Sequence, residues 1–184
     1  MEKDIIGINC NVSIGDHDKI PAKVDTGADS SAIWASNLSF CKNYKVLKFT
    51  LFNESSQFYT GKVFETTNFR VVIVKSSNGL SEMRFKVQLS IKINKRKIKA
   101  WFTLSNRENN RFPILIGRRA LSGKFLVDPS INNLKQLAKT NYPDLSDSLT
   151  NAEFDSIINE INKQNNEEFN INKISVGENG YDNE

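Results

Sequence analysis

The stretch Lys23-Val24-Asp25-Thr26-Gly27-Ala28-Asp29-Ser30-Ser31-Ala32 holds the residue types best suited to chemistry. An apolar strand runs into Asp-Thr-Gly and leaves through small side chains. A carboxylate then stands at a strand end, a threonine hydroxyl can anchor the turn, and Gly27 allows another backbone to come close. One such carboxylate supplies half of a hydrolytic pair. Two carboxylates held together share a single proton, because like charges so close cannot both ionise. The ionised member takes a proton from water while the protonated one polarises the carbonyl under attack. Only one Asp-Thr-Gly occurs in the chain. Either two chains each contribute Asp25, or the motif is a β-turn whose aspartate caps backbone N–H groups.

Other chemistries find few residues to work with. His17 is the only imidazole, and the two thiols, Cys10 and Cys41, lie far apart. Zinc enzymes gather three or four ligands, most often including histidine, so neither a metal nor another cofactor is expected. No Gly-x-x-x-x-Gly-Lys-Ser/Thr is present to cradle ATP phosphates. Gly-x-Ser-x-Gly is absent too, and His17 reads as a turn residue, which removes a serine triad. Cys41 has Lys42 beside it but no histidine, so a cysteine nucleophile is not expected. Cys10 reads as an inward-facing core residue.

A second segment changes the weight of the first. Phe112-Pro113-Ile114-Leu115-Ile116-Gly117-Arg118-Arg119-Ala120-Leu121 is an apolar strand ending in Gly-Arg and passing toward a short helix. Asp-Thr-Gly-Ala-Asp followed later by apolar-apolar-Gly-Arg resembles the retropepsin-like aspartic protease fold. Lys75-Ser76-Ser77-Asn78-Gly79, Glu82-x-Arg84, Arg111 to Leu121 and Phe125-Leu126-Val127-Asp128-Pro129 are similar to one bacterial branch of that fold. Its members commonly carry the description ATP-dependent zinc protease and are associated with ATP-grasp glutamate ligases of the ribosomal-modification type.

The resemblance covers residues 4 to 130 and implies roles. Asp25 is the catalytic residue, one from each chain of a homodimer. Thr26 holds the two loops through hydroxyl hydrogen bonds, Gly27 offers backbone to the substrate, and Ala28 lines the pocket. Asp29 and Arg118 pair and brace the loop. Ser77, Asn78 and Gly79 belong to a hairpin that closes over the site as a flap, although an ordinary surface hairpin reads the same way. Glu82 and Arg84 are either an exposed charge pair or a brace for that hairpin. Relatives commonly continue Arg-Thr-Ser-Ala-Leu-His-Ala after Asp-Thr-Gly-Ala, where this chain has Asp29-Ser30-Ser31-Ala32-Ile33-Trp34-Ala35. Trp34 in place of the histidine further weakens a zinc role.

These residues need a rigid scaffold, and the 184-residue chain is long enough to build one around a core. Residues 1–130 carry 21 Lys+Arg against 11 Asp+Glu, and residues 131–184 carry 4 against 10. Two differently built regions are expected: a retropepsin-like domain at 1–130, and an acidic extension at 131–184 with one helix near 151–165 and a loose tail. The first region is β-rich. Ile6, Ile8, Cys10, Val12 and Ile14 alternate with polar residues through Ile5–Ile14, and Gly15-Asp16-His17-Asp18 reads as a turn into Ile20–Val24. Further strands are expected at 45–52, 68–74, 84–93, 97–104, 112–116 and 125–127, with a tight turn at Asn94-Lys95. Thr150-Asn151-Ala152-Glu153 has the form of a helix-capping box, and Phe154, Ile157, Ile158 and Ile161 follow helical spacing. The bland expectation is that this helix packs on the body.

The expected fold is therefore mainly β: a closed, mainly antiparallel acid-protease-like barrel of the retropepsin type, with a C-terminal α-helix. The leading function is a peptidase or related hydrolase working as a homodimer in the cytoplasm, on a polypeptide that is acidic or ribosome-associated. Its alternatives are a non-catalytic dimerisation or binding module and, less favoured, a zinc-dependent peptidase. No apolar run is long enough to span a membrane. The basic run Lys92-Ile93-Asn94-Lys95-Arg96-Lys97-Ile98-Lys99 reads as the solvated face of a hairpin, so nucleic acid is not an expected partner.

Overall fold

The structure is a computed structural model that describes residues 2–75, 81–134, 150–153 and 155–159. It divides into two compact units, Met1–Lys139 and Thr140–Glu184. The first is almost entirely β: β1 Asp4–Ile6, β2 Asn9–Ile14, β3 His17–Asp25, β4 Ser31–Cys41, β5 Val46–Leu51, β6 Val63–Thr66, β7 Phe69–Lys75, β8 Ser81–Ile93, β9 Arg96–Ser105, β10 Ile114–Gly117, α1 Arg118–Leu121 and β11 Phe125–Val127.

Six strands close on themselves in the order β10-β3-β2-β8-β9-β4, and β4 returns to pair with β10. Most neighbours are antiparallel. Two pairs, β10 with β3 and β4 with β9, are parallel. Closure leaves no free edge among these six. The remaining strands of the sheet extend it, with β5 and β6 on the β4 side and β7 paired along β8.

Period-two alternation explains which residues face in. Along β8, Val87, Leu89, Ile91 and Ile93 are buried while Lys86, Gln88, Ser90 and Lys92 point away. Their β9 counterparts are Ile98, Ala100 and Phe102. Val12, Ile20, Ile33, Ile114 and Ile116 complete the same core with no exposure at all. The two strands meet at Asn94-Lys95, where Asn94 has a φ of 53°, a value asparagine tolerates at the start of a two-residue hairpin turn.

The first expected strand is two strands. Gly7 lies beneath the chain leaving β11, and a Cβ there would sit 2.1 Å from the Ile131 carbonyl oxygen. Ile8 N–H donates to that same oxygen at 2.9 Å, so the alternation breaks and Ile8 is left exposed. β1 pairs instead with β11, in parallel, from Asp4↔Phe125 to Ile6↔Val127. Asn9 ties the next turn of chain down, donating to Asn132 Oδ1 and accepting from Leu134 N–H. His17 is no turn residue either. It opens β3, is buried between Phe52 and Phe64, and contacts the Ile14 carbonyl and the Thr60 hydroxyl, each at 3.2 Å. Cys10 is a core thiol whose pKa burial pushes up to about 12.

In the second unit, residues 151–153 and 155–159 are helical. Thr150 N–H donates to Glu153 Oε2 at 2.7 Å and Glu153 N–H to Thr150 Oγ1 at 3.4 Å, a reciprocal capping box. The bonds from Thr150 hold the Glu153 carboxyl below its ordinary range. Ile157 and Ile158 are exposed. Phe154, Ile161 and the tail from Gln164 lie outside the described residues.

Ile114 pairs with both Ala22 and Ile33 and is fully buried. Ile114→Ala should cost about 2–5 kcal/mol through lost burial and the cavity left behind. The check is urea denaturation, with a lower midpoint and an unchanged slope expected.

Candidate active site

β3 delivers Asp25 to the mouth of the barrel. There the chain turns back, and the Asp25 carboxylate holds the turn: its Oδ1 accepts the Gly27 N–H at 3.1 Å and the Ala28 N–H at 3.2 Å. This is the side-chain-to-backbone bonding that aspartate brings to turns. Among the described residues the other oxygen, Oδ2, meets Lys23 Nζ at 3.8 Å, a distant and exposed charge. Thr26 and Gly27 are exposed on the turn and Ala28 is half-buried.

What keeps this loop in place is β10. It slots between β3 and β4, with Gly117 opposite Asp25 and Leu115 opposite Ala32. At Gly117 two backbones touch. A Cβ there would lie 2.6 Å from the Ser30 carbonyl carbon and oxygen and 2.8 Å from the Ala28 oxygen. Gly117 N–H donates to Ser31 Oγ at 3.0 Å, and Arg118 N–H to the Ala28 carbonyl at 2.8 Å. Arg118 then forms an ion pair with Asp29 Oδ1, and Arg119 approaches Asp29 Oδ2 at 3.7 Å. All three side chains are about half exposed or more, so the pairing orients the loop more than it stabilises the fold.

Asp25, Gly27, Ala28 and Asp29 line a groove of about 920 Å³. Its other wall is the β7–β8 hairpin, through Val72, Val74 and Arg84. The arms of that hairpin pair without interruption from Phe69↔Val87 to Lys75↔Ser81. Ser77, Asn78 and Gly79, the expected flap residues, lie outside the described residues. Arg84 binds Glu82 Oε2 through Nε at 2.9 Å and a terminal nitrogen at 2.7 Å, so the charge pair exists and sits on the groove wall.

Two cations of the groove escaped sequence reasoning. Lys86 donates to Ser30 Oγ at 3.1 Å, and its pKa falls because burial, then Arg119 and Arg70, outweigh the attraction of Asp29. Arg107 donates to the Phe112 carbonyl at 3.1 Å, and burial, then Arg84, lower its pKa. Lys86 alternates with buried Val87, which marks it only as pointing away from the barrel interior. That this outer face meets the Asp25 loop is a fact of topology that spacing does not carry.

Trp34 is core. It is buried in β4 and meets Phe52 edge-on at 6.0 Å. Among the described residues, no three His, Cys, Asp or Glu side chains cluster closely enough to hold a metal ion.

A closed six-strand barrel whose Asp-Thr-Gly loop rests on an apolar-apolar-Gly-Arg strand has the aspartic-protease-like fold of the retropepsin type. The RimB-like family, described as retropepsin-like aspartic endopeptidase RimB, matches residues 5–137, and the chain belongs to that family. A probable alpha-L-glutamate ligase of Shewanella pealeana is 32% identical over 123 residues, and one of Desulfotalea psychrophila 29% over 119 residues. The matches take in 60% and 61% of this chain but only 25% of each ligase. Among solved structures, the crystal structure of Lpg0085 from Legionella pneumophila, of unknown function (DUF785), superposes with a TM-score of 0.56 at 27% identity. That match covers 71% of this chain and 97% of the other.

Gly117→Ala places a methyl group against backbone that cannot swing aside. The substitution should destabilise the protein by about 1–3 kcal/mol, whereas Arg118→Met should cost under about 1 kcal/mol. Chemical denaturation of the two variants side by side checks the contrast.

Proposed function

We propose that the protein is an aspartic peptidase that works as a homodimer, hydrolysing peptide or amide bonds with a water activated between two Asp25 carboxylates. The observation that carries this reading is the Asp25 carboxylate itself. Two backbone N–H groups pin one of its oxygens at the floor of a groove large enough for an extended polypeptide. In the dimer the two Asp25 carboxylates would share one proton. The ionised carboxylate removes a proton from water, and the protonated one donates to the scissile carbonyl as the tetrahedral intermediate forms. The exposed Thr26 hydroxyl bonds the partner loop. The β7–β8 hairpin acts as the flap, excluding water as substrate binds.

The substrate class that fits is an acidic polypeptide. Lys75, Arg84, Lys86 and Arg107 outnumber Asp25 and Asp29 along the groove, and a cationic cleft speeds encounter with an anionic chain. Similarity to segments of probable alpha-L-glutamate ligases agrees with a glutamate-bearing substrate.

A non-catalytic module is favoured by one specific observation: the bonds from Gly27 and Ala28 give Asp25 a structural task that needs no catalysis. Asp25→Asn separates the readings, since the amide oxygen can still accept both N–H bonds. The peptidase reading predicts a stable dimer by sedimentation and a loss of roughly 10²–10⁴-fold or more in cleavage of a peptide mixture. It also predicts that kcat/KM on acidic peptides falls as salt rises. A monomer at micromolar concentration, or equal cleavage by both proteins, overturns it.

A further inference from the structure

Behind the catalytic loop, on the outer face of the sheet, lies a second and smaller pocket of about 150 Å³. Every charged residue that lines it is a cation: Arg70 of β7, Lys86 of β8, Lys99 of β9 and Arg119 of α1. They arrive from four separate elements. Arg70 stands directly across the ladder from Lys86. Lys99 and Trp101 alternate with buried Ile98, Ala100 and Phe102, so they share the outward face. The Arg70 guanidinium lies over the Trp101 ring, 4.7 Å from its centroid. Ser30 adds a hydroxyl that already accepts from Lys86.

This arrangement is electrostatically incomplete. Burial and the like charges of Arg119 and Arg70 both disfavour the charged form of Lys86. Among the described residues Asp29 supplies an opposing charge, reaching Arg119 only at 3.7 Å while engaged by Arg118. Arg70, Lys99 and Arg119 are exposed and Lys86 is half-buried, so the repulsion that an anion between them would relieve falls chiefly on Lys86. The pocket holds several waters' worth of volume at about 30 Å³ each, which is room for one tetrahedral oxyanion with a few waters. Donors from four elements, including a planar guanidinium fork, suit a tetrahedral anion of more than one charge.

We infer that Arg70, Lys86, Lys99 and Arg119 form an oxyanion-binding site for a phosphate group, either free or on a small molecule, beside the catalytic groove. The site is separate from the chemistry assigned to Asp25. It is also connected to it, because Ser30 and Lys86 line both the pocket and the groove. A bound phosphate draws on the same Lys86 that braces Ser30, so occupancy is felt at the loop that carries Asp25.

The test is direct binding. Inorganic phosphate is titrated against Trp101 fluorescence, with sodium chloride at matched ionic strength as reference and Trp101→Phe identifying the signal. The full-length wild type, Asp25→Asn and the double variant Arg70→Gln/Lys99→Gln are compared. A saturable response in wild type and in Asp25→Asn, weakened about tenfold or more in the double variant, is the expected result. It stands or falls independently of peptidase activity. A response that chloride reproduces, or one the double variant retains in full, overturns the site. Should the double variant misfold, the ³¹P linewidth of phosphate with wild type decides: broadening that excess sulfate relieves supports the site, and unbroadened phosphate refutes it. Glucose 6-phosphate forms the last arm. Tighter binding than inorganic phosphate assigns a phosphoryl group on a small molecule, and equal or weaker binding assigns the free ion.

Discussion

The contact on which the rest depends is backbone against backbone, where Gly117 of β10 meets the loop that follows Asp25. A strand inserted between β3 and β4 closes the barrel, and its last residue must pass within touching distance of the Ala28 and Ser30 carbonyls. Only a residue without a Cβ fits. Once there, its N–H donates to Ser31 Oγ and the next one to the Ala28 carbonyl, which ties the strand to the loop. The Asp25 carboxylate then has a fixed origin. The same short run of chain that completes the barrel therefore also sets the geometry of the candidate active site, and the two cannot be altered separately.

Charge is distributed according to what each wall must do. The loop carries the carboxylates, Asp25 and Asp29, on its exposed turn. The hairpin and the loop after β9 carry cations, of which Lys86 and Arg107 are drawn partly out of water. Desolvation strengthens any interaction such groups make with an anionic ligand, because less solvent competes for them. It also makes them costly to leave alone. Lys86 meets the cost in part through Ser30, and Arg107 through the Phe112 carbonyl.

Much of the fold was legible because barrel strands advertise themselves by alternation. Val87 to Ile93, and Ile98 to Leu104, are patterns that only a half-buried strand satisfies. The two motif segments, Asp25–Asp29 and Ile114–Arg118, could be joined through resemblance before any geometry was known. What spacing could not deliver was pairing. β4 went unrecognised because Ser31, Ala32 and Ala35 are small and its inner half is buried without a period-two signal. The break at Gly7 follows from Ile131, more than a hundred residues away. His17 looked like a turn residue because Gly15 and Asp16 precede it; its burial comes from Phe52, Phe64 and Thr60, which the sequence keeps distant.

The parallel insertion of β10 also dictates an order of events during synthesis. Until Ile114–Gly117 has left the ribosome, β3 and β4 lack the strand that will lie between them, and both present bare edges on that side. β1 likewise waits for β11. Pairings between such distant segments are slow to form, since loop closure must precede the contacts that reward it. Until both strands emerge, a nascent chain is an open, sticky sheet exposed to edge-to-edge association and to chaperone capture, and it commits to the native topology only once β10 and β11 are available.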